Sequence, residues 1–383
     1  MIRLRLTRKS TYMSAWAVML MYTIFIQSSE FKYLLPNRQI QIACTGIATI
    51  LLLIKIFVFD HFKRSTIISM ACIMVLVLIV AYQGVGSKLV LYYLFIVAAT
   101  GIEIPELVRF DIKIRSTMIV FLMVCSLSGL IINFNRTING TLKFAFGWSH
   151  PNSFCGAVML VVIEWIYLKW NKLNLKHVFV ILPVFIFLFS FSESRTILNA
   201  GILIIGWAFF VRKGSRILWR SFFRGIYVFI TPLMAAISWG MLYLYQHRTQ
   251  LGIFLNSILT RRLNWAQRYL IRYGVSLWGT DIETVSTRES LANGTTRQIF
   301  DMSYIRLPVE YGIIYTVFFL FAFVMIQKYL VSNKRYRDIM IILYFSIVGI
   351  ASTSAISLYS NYTLLLLLPS LGLDAYQKYY SKT

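Results

Sequence analysis

Arginine residues are concentrated in one polar segment, residues 247–306, which follows a long series of apolar runs. A lysine ammonium would serve equally well for solubility, whereas a planar guanidinium group can form two parallel hydrogen bonds with a phosphate or carboxylate. The choice of arginine therefore indicates recognition of an anion, such as the phosphate of a lipid-linked substrate. The segment has no lysine, and its eight arginines are Arg248, Arg261, Arg262, Arg268, Arg272, Arg288, Arg297 and Arg306.

Two side chains near polar segments have the chemistry of a general base. Asp301 lies near the end of the 247–306 segment, and His150 precedes Pro151 at the start of an earlier apolar run. A carboxylate or an imidazole can accept the proton of a hydroxyl group within hydrogen-bonding distance. The simpler alternatives are a capped helix start at His150 and a capping or loop-ordering role for Asp301.

Another polar stretch, residues 192–196, separates two apolar runs that are too long to form one helix. Because this turn is so short, Arg195 must stay close to the bundle, where a charge is costly unless it is paired or faces a polar cavity. Arg195 is therefore a candidate for anion binding. The alternative is an ion pair in which Glu193 neutralises Arg195.

Residues 259–272 have the pattern of an amphipathic helix, with apolar and arginine-rich positions on opposite faces. We predict that this helix lies at the membrane interface, with its apolar face in lipid and its arginines upward. Attraction to lipid headgroups alone is the alternative explanation of the arginines. The apolar positions are Leu259, Leu263, Ala266 and Leu270, and the opposite ones are Arg261, Trp265, Arg268 and Arg272.

The elements that position these residues are apolar helices. The chain has 383 residues, of which 58% are hydrophobic and only 14% charged, whereas a soluble chain is about a quarter charged. This composition is typical of a polytopic membrane protein, and roughly 20 apolar residues are needed for each crossing. The net charge of +24 is better explained by basic cytoplasmic connections than by nucleic-acid binding.

We predict an all-α membrane bundle of about twelve transmembrane helices in a single domain, residues 1–383. Lysine and arginine are concentrated at the N-terminus and in every second connection, which places both termini in the cytoplasm and 247–306 outside as one large extracytoplasmic loop. Residues 146–152 and 192–196 then face the same outer side. The predicted spans are 12–28, 40–59, 67–83, 88–107, 117–133, 151–170, 178–192, 196–211, 225–246, 307–327, 338–358 and 360–376.

The order of these motifs resembles that of the O-antigen ligase/O-antigen polymerase superfamily of bacterial envelope polysaccharide enzymes. The resemblance covers roughly residues 120–330. It implies a multi-pass protein of the cytoplasmic membrane that transfers a glycan from an undecaprenyl-diphosphate carrier to a sugar hydroxyl on the outer side. The matching features are Gly147 to Asn152, Ser194-Arg195-Thr196, Arg262-Leu263-Asn264-Trp265, and the loop exit from Asp301 to Gly312.

One departure from the family pattern distinguishes its two branches. In the ligase branch, outer arginines engage the diphosphate, and a histidine near the loop exit serves the acceptor. Asp301-Met302-Ser303 stands where that branch has His-Asn, which favours a repeat-unit polymerase over a ligase. A flippase or transporter is the alternative from another class, although transporters more often show internal repeats and broken helices.

The resemblance and the residue chemistry together define the predicted site. Because arginines can neutralise a departing diphosphate without a metal, we expect neither a metal nor a cofactor. We expect Arg195 to converge with the loop arginines around the diphosphate. The expected partners are an undecaprenyl-diphosphate-linked oligosaccharide, the lipid bilayer, a chain-length regulator and a flippase, with no nucleic acid. The predicted catalytic residues are Asp301, His150 and Arg195, and the predicted substrate-binding residues are Arg261, Arg262, Arg268, Arg136, Asn152 and Tyr304.

Overall fold

The computed structural model describes residues 7–138, 141–192, 194–212 and 221–371. Within these ranges the chain is mostly helical, with one two-stranded hairpin. It divides into two compact units. Unit 1 comprises Met1–His61 and Val97–Lys213, and unit 2 comprises Phe62–Ile96 and Gly214–Thr383. Glu193 and the last residues of the twelfth predicted span lie outside the described residues.

Unit 1 contains six α-helices and the hairpin among its described residues. Short π-helical or 3-10 segments extend several of the helices. The elements are α1 (Arg8–Met21), α2 (Asn37–Ile54), α5 (Ile104–Leu127), β1 (Asn135–Ile138), β2 (Thr141–Phe144), α6 (Pro151–Lys169), α7 (Lys176–Phe191) and α8 (Arg195–Arg212), with π-helices at Tyr22–Gln27 and Lys55–Phe59 and 3-10 helices at Glu30–Tyr33 and Trp170–Lys172.

Unit 2 carries the arginine-rich segment between two long helices. Its elements are α3 (Arg64–Val80), α4 (Ser87–Ala98, which runs across the boundary with unit 1), α9 (Ser221–Gln246), α10 (Gln250–Ile258), α11 (Arg262–Tyr273), α12 (Thr287–Asn293), α13 (Ser303–Arg306), α14 (Gly312–Ser332) and α15 (Tyr336–Val348), with π-helices at Ala81–Val85 and Leu307–Tyr311 and 3-10 helices at Thr353–Ile356 and Tyr362–Leu371.

Six helices in the described part of the chain are long and apolar enough to cross a membrane. The chain is therefore a mostly helical protein of the membrane type, as its composition predicts. Two further apolar helices, α4 and α7, are shorter. The six are Asn37–Phe59, Arg64–Val85, Pro151–Lys172, Arg195–Arg212, Phe222–Gln246 and Ser303–Ser332.

The predicted fourth span, 88–107, is interrupted in the structure. Helix α4 ends at Ala98, and α5 begins only at Ile104. Gly101 lies between them with a left-handed φ of +75°, and Pro105 occupies the first turn of α5. A proline ring fits the first turn but blocks a continuous helix through it, so apolar composition alone gave the wrong boundary here.

Helix α5 also begins well before residue 117, where the fifth span was predicted to start. Two of the charged residues in this region, Asp111 and Arg115, are buried and paired inside unit 1. Arg115 Nε donates to Asp111 Oδ1 at 2.8 Å, and Trp16 Nε1 donates to Asp111 Oδ2 at 2.8 Å. A paired charge is tolerated inside a protein, so charge in the sequence did not mark a connection.

Three connections of unit 1 meet at one end. Ser149 N donates to Ser28 O at 3.0 Å, which joins the α1–α2 connection to the segment before α6. Ser192 Oγ donates to Pro151 O at 2.6 Å, and Lys143 Nζ donates to Ser190 O at 2.9 Å. The polar stretches 146–152 and 192–196, which the sequence places on one side, therefore contact each other.

In unit 2, helix α11 buries the apolar face that the sequence pattern predicts. Leu263, Ala266 and Tyr269 are buried in a cluster that includes Leu242 of α9 and Phe300. A helix is confirmed from Arg262 onward, with Leu259 to Arg261 in the turn before it, but its apolar face packs on protein. The predicted insertion of that face into lipid is therefore corrected: periodicity identified the buried face but not what covers it.

Candidate functional site

Arg262 and Asp301 form an open ion pair where the 247–306 segment returns to the helices. Thr260 and Arg261 have left-handed φ angles of 53° and 66°, and this turn starts α11 at Arg262. The guanidinium Nε lies 3.7 Å from Asp301 Oδ2. The Arg262 side chain is 14% exposed and that of Asp301 39% exposed, so a substrate group can reach the carboxylate beside a mostly enclosed positive charge.

The surroundings of Asp301 shift its pKa in opposing directions. Partial burial raises the pKa of Asp301, and three guanidinium groups, those of Arg262, Arg306 and Arg297, oppose this shift. Desolvation likewise lowers the pKa of Arg262, and Asp301 opposes that change. A carboxylate with a raised pKa and an accessible oxygen has the properties of a general base.

Arg306 is held in a more closed arrangement. Its Nη2 donates to Glu310 Oε1 at 2.9 Å, its Nε donates to Glu310 Oε2, and its Nη1 donates to Phe300 O at 3.2 Å. The bidentate pair with Glu310 neutralises this guanidinium and leaves it a positioning role. We define Arg262, Arg297, Asp301, Arg306 and Glu310 as the loop-root cluster.

Close backbone contacts fix the loop-root cluster to the start of α14. A Cβ atom at Gly279 would collide with the Glu310 carbonyl, and one at Gly312 would collide with the Leu277 carbonyl. A Cβ at Gly84 would lie 2.8 Å from the carbonyl carbon of Thr280. Glycine is required at these positions because only glycine lets two backbones approach so closely. Three separate segments of unit 2 therefore meet beside Glu310.

The other arginines of α11 lie at its exposed side. Arg261 and Arg268 are exposed; Arg268 Nε donates to Asn264 Oδ1 at 3.2 Å, and its guanidinium lies 5.1 Å from the Trp265 ring centroid. These predicted substrate-binding residues are accessible, but they lie on a different side of the helix from Arg262, which is directed to Asp301.

Arg272 is paired instead with other residues of the 247–306 segment. Its Nη2 donates to Glu283 Oε2 at 3.3 Å, and its Nη1 donates to Gln298 Oε1 at 3.1 Å. Both side chains of the Arg272–Glu283 ion pair are exposed, that of Arg272 by 53% and that of Glu283 by 75%. Such a pair contributes little to stability, which makes Arg272 a matched control for Arg262.

His150 caps helix α6 in the way the simpler sequence interpretation describes. Its Nδ1 accepts a hydrogen bond from the backbone N–H of Asn152 at 3.1 Å. With Nδ1 as acceptor, the neutral ring carries its proton on Nε2 and presents a donor there. Accepting a proton at Nδ1 would break the cap. This geometry argues against His150 as a general base, and Asn152 contributes its backbone N–H to the cap.

Arg195 and Arg136 belong to the same unit as His150. Arg195 is exposed at the first position of α8, and the adjoining turn is fixed to the start of α6 by the hydrogen bond from Ser192 to Pro151. Arg136 is partly exposed on β1, opposite Lys143 of β2. The structure therefore brings the neighbourhoods of Arg195 and His150 together within unit 1.

Tyr304 has no accessible surface for a substrate. Its side chain is 2% exposed, and its hydroxyl donates to Ser346 O at 2.9 Å. Its carbonyl oxygen accepts from Trp239 Nε1 at 3.1 Å. These contacts fix α13 to α9 and α15. The predicted role of Tyr304 in substrate binding is corrected to one in positioning the loop-root cluster.

Sequence reasoning missed the pairing of Arg306 with Glu310 and the proximity of Arg297 to Asp301. The first had a signal, because Arg and Glu four residues apart lie on one face of a helical segment. The second had none, because it depends on the path of the loop. The expected convergence of Arg195 with the loop arginines joins residues of different units and stays a prediction.

Within the described residues, the candidate site consists of the partly exposed carboxylate of Asp301 and the mostly buried guanidinium group of Arg262. Close backbone contacts hold the loop-root cluster at the start of α14. Comparisons with protein-family models, curated proteins and solved structures found no match for this chain.

Proposed function

We propose that this chain is a membrane glycosyltransferase, a polymerase of oligosaccharide repeat units. It transfers a glycan from an undecaprenyl-diphosphate carrier to a sugar hydroxyl of another lipid-linked repeat. The proposal includes a location in the cytoplasmic membrane with both termini inside, twelve spans, and the 247–306 segment outside. The resemblance of the motif order supports the proposed reaction.

The observation that carries the proposal is the loop-root cluster. It places a 39% exposed carboxylate, Asp301, beside the mostly enclosed guanidinium of Arg262. A reaction that moves a proton from a hydroxyl while a diphosphate departs needs a base and a positive charge close together. The exposed Arg261, in the turn before α11, and the exposed Arg268 of α11 add positive charge around this helix.

In the proposed reaction the acceptor oxygen attacks the anomeric carbon, and its proton passes to Asp301. The bond between that carbon and the diphosphate breaks, and both electrons leave with the diphosphate. Arg262 stabilises the developing negative charge in a setting that is partly shielded from water. Because the diphosphate is already an activated leaving group, positioning and charge stabilisation supply most of the catalysis.

The products of a cell that lacks this chain test the proposal. Loss of a polymerase leaves single repeat units on the carrier at the outer leaflet. Loss of a flippase would leave them on the inner leaflet, and loss of a ligase would leave long chains on the carrier. Either of the last two patterns would overturn the proposal in favour of the corresponding alternative.

A reconstituted assay with purified protein and a diphosphate-linked repeat tests the role of Arg195. Arg195→Lys should strongly lower polymer formation while the protein still inserts, because an ammonium cannot replace a planar fork. The matched control is Arg212→Lys, at the other end of the same helix. Equal activity of both variants would remove Arg195 from the site.

A further inference from the structure

Helix α10 exposes an apolar face next to the end of a spanning helix. Leu251, Phe254 and Ile258 are 54%, 60% and 54% exposed, and their spacing of three and four residues puts them on one face. The opposite face is covered, with Gly252 buried. Its neighbour α11 has the reverse arrangement, with its apolar face in the protein core and the exposed Arg268 and Arg272 outward.

Helix α10 is attached to the end of α9 by close backbone contacts. A Cβ at Gly252 would collide with the Leu244 carbonyl, so the two helices are in backbone contact there. Both the N–H and the hydroxyl of Thr249 donate to the same carbonyl, at 3.1 and 3.0 Å. Helix α10 is therefore held at the last turns of α9, a helix long and apolar enough to span a membrane.

The aromatic and charged residues around this junction are those of a membrane interface. Tyr243, 61% exposed, packs on His247 with ring centroids 4.3 Å apart, and tyrosine is enriched where a span meets the headgroups. Exposed Arg248 and Arg261 flank α10. The sequence has no acidic residue from Ser194 to Thr280, so nothing in that stretch would repel an anionic surface.

From these observations we propose that α10 lies in the membrane plane and binds the headgroup–acyl boundary of a bilayer that contains anionic lipids. Leu251, Phe254 and Ile258 enter the acyl region, and Arg248 and Arg261 contact the phosphates. An apolar face with flanking basic residues is the arrangement of interfacial helices. The anchoring function thus belongs to α10, whereas the sequence pattern assigned it to α11.

The test uses full-length protein in lipid nanodiscs with a fluorescent label on a single cysteine. Phe254→Cys and, as a control on an exposed part of the loop, Thr296→Cys are made with Cys44 and Cys72 replaced by serine, which leaves the introduced cysteine as the accessible one because Cys125 and Cys155 are buried. We expect lipids with a spin label near the headgroup to quench the label at position 254, and aqueous iodide to quench the label at position 296. Iodide quenching at position 254 as strong as at 296 would overturn the proposal. Protection of 254 from both quenchers would overturn it in favour of a protein partner or second copy.

A charge on the apolar face should release the helix. With the label moved to Leu251→Cys, Phe254→Glu should make the label accessible to iodide, while Phe254→Leu, which keeps an apolar side chain at the same position, should leave it in lipid. An equal effect of both variants would show that any substitution at this position disturbs the fold, and would remove the support for a lipid-facing side.

The anionic lipid requirement is tested with Arg248→Asn, because asparagine tolerates the left-handed φ of 52° at this position. In discs with anionic lipid, the equilibrium constant for the docked helix should fall about fivefold, the factor that corresponds to ~1 kcal/mol per basic residue near such a surface. In zwitterionic discs the variant should match the parent. A loss of equal size in both lipids would overturn the proposed phosphate contact. None of these measurements depends on glycan transfer.

Discussion

Two arginine–aspartate pairs of this chain differ in distance and burial. Arg115 and Asp111 of unit 1 are 2.8 Å apart, and their side chains are only 5% and 1% exposed. Arg262 and Asp301 of unit 2 are 3.7 Å apart, with 14% and 39% exposed. Both oxygens of Asp111 are occupied, one by Arg115 and one by Trp16, whereas Asp301 keeps an accessible surface.

The difference indicates what each pair does. A closed, buried pair, here within α5, serves the stability of its unit as long as both partners are present, because breaking it would leave a charge without compensation inside the protein. An open pair with a partly exposed carboxylate holds a reactive group near a positive charge and leaves room for a substrate. The same two residue types therefore serve stability in unit 1 and, in our proposal, catalysis in unit 2.

The largest expected effect is at the open pair. Asp301→Asn should lower polymer formation by a factor of about 10² to 10⁴, the range for loss of a general base, because the amide cannot accept the proton. The thermal transition should change little, since the carboxylate is partly exposed. Activity in the reconstituted assay and a melting curve in detergent measure the two effects. Full activity of Asp301→Asn would show that Asp301 has only a structural role, and the two arginine–aspartate pairs would then not differ in function.

The opposite outcome is expected at the closed pair. Arg115→Leu should destabilise unit 1 by about 3–5 kcal/mol, because Asp111 would remain buried and charged. Fully buried Glu164, which interacts electrostatically with both partners, would lose the nearby positive charge as well. Heating followed by size-exclusion chromatography measures the loss of folded protein.

A double variant provides the control for that experiment. Asp111→Asn with Arg115→Leu removes both charges, keeps an acceptor for Trp16, and should recover part of the lost stability. If Arg115→Leu alone had the same melting temperature as the parent protein, the Arg115–Asp111 pair would not stabilise unit 1, and its burial would need another explanation.

The pH dependence of activity tests the electrostatic interaction within the open pair of Arg262 and Asp301. The pKa of Asp301 is raised by burial, so activity that needs the ionised carboxylate should fall, as pH decreases, at a pH above the ordinary aspartate value. Arg262 opposes the raised pKa. In Arg262→Gln the acid limb of the rate profile should therefore move to still higher pH, in addition to any loss of maximum rate.

Arg272→Gln is the matched control for that shift, because Arg272 is on the same helix as Arg262 but pairs with the exposed Glu283 of the following loop. It should leave the acid limb where it is. Rate measurements from pH 4 to 8 give the acid limb of each variant. An acid limb that stays at the same pH in Arg262→Gln would show that Asp301 is not the group that titrates.

The smallest effect is expected at His150, whose ring caps α6. His150→Asn keeps a side-chain acceptor and should retain nearly full activity, whereas His150→Ala should cost about 1 kcal/mol of stability, the usual value of an N-cap. Melting curves and activity of the two variants decide this. A large loss of activity in a stable His150→Asn protein would instead give His150 the catalytic role that the loop-root geometry assigns to Asp301.

The motif order and hydropathy predicted more of the fold than of the site. The bounds of α9 and the start of α6 follow closely from apolar runs and Pro151. The fourth span was misplaced because the chain breaks its helix at Gly101 and Pro105. The fifth was misplaced because Asp111 and Arg115 neutralise each other within unit 1, and a hydropathy pattern counts them as separate charges. In the site, Asp301 was selected for its chemistry, but its neighbours could not be deduced from spacing.

The sequence by itself determined that the chain is helical and of the membrane type, and that an amphipathic helix lies within residues 259–272, because composition and periodicity act locally. Only the tertiary structure decided that Leu263 of α11 packs on protein while Phe254 of α10 is exposed, and that Asp301 pairs with Arg262. Periodicity defines the faces of a helix, but the path of the loop determines what lies against each face. Contacts between residues distant in the chain depend on that path, and spacing in the sequence does not encode it.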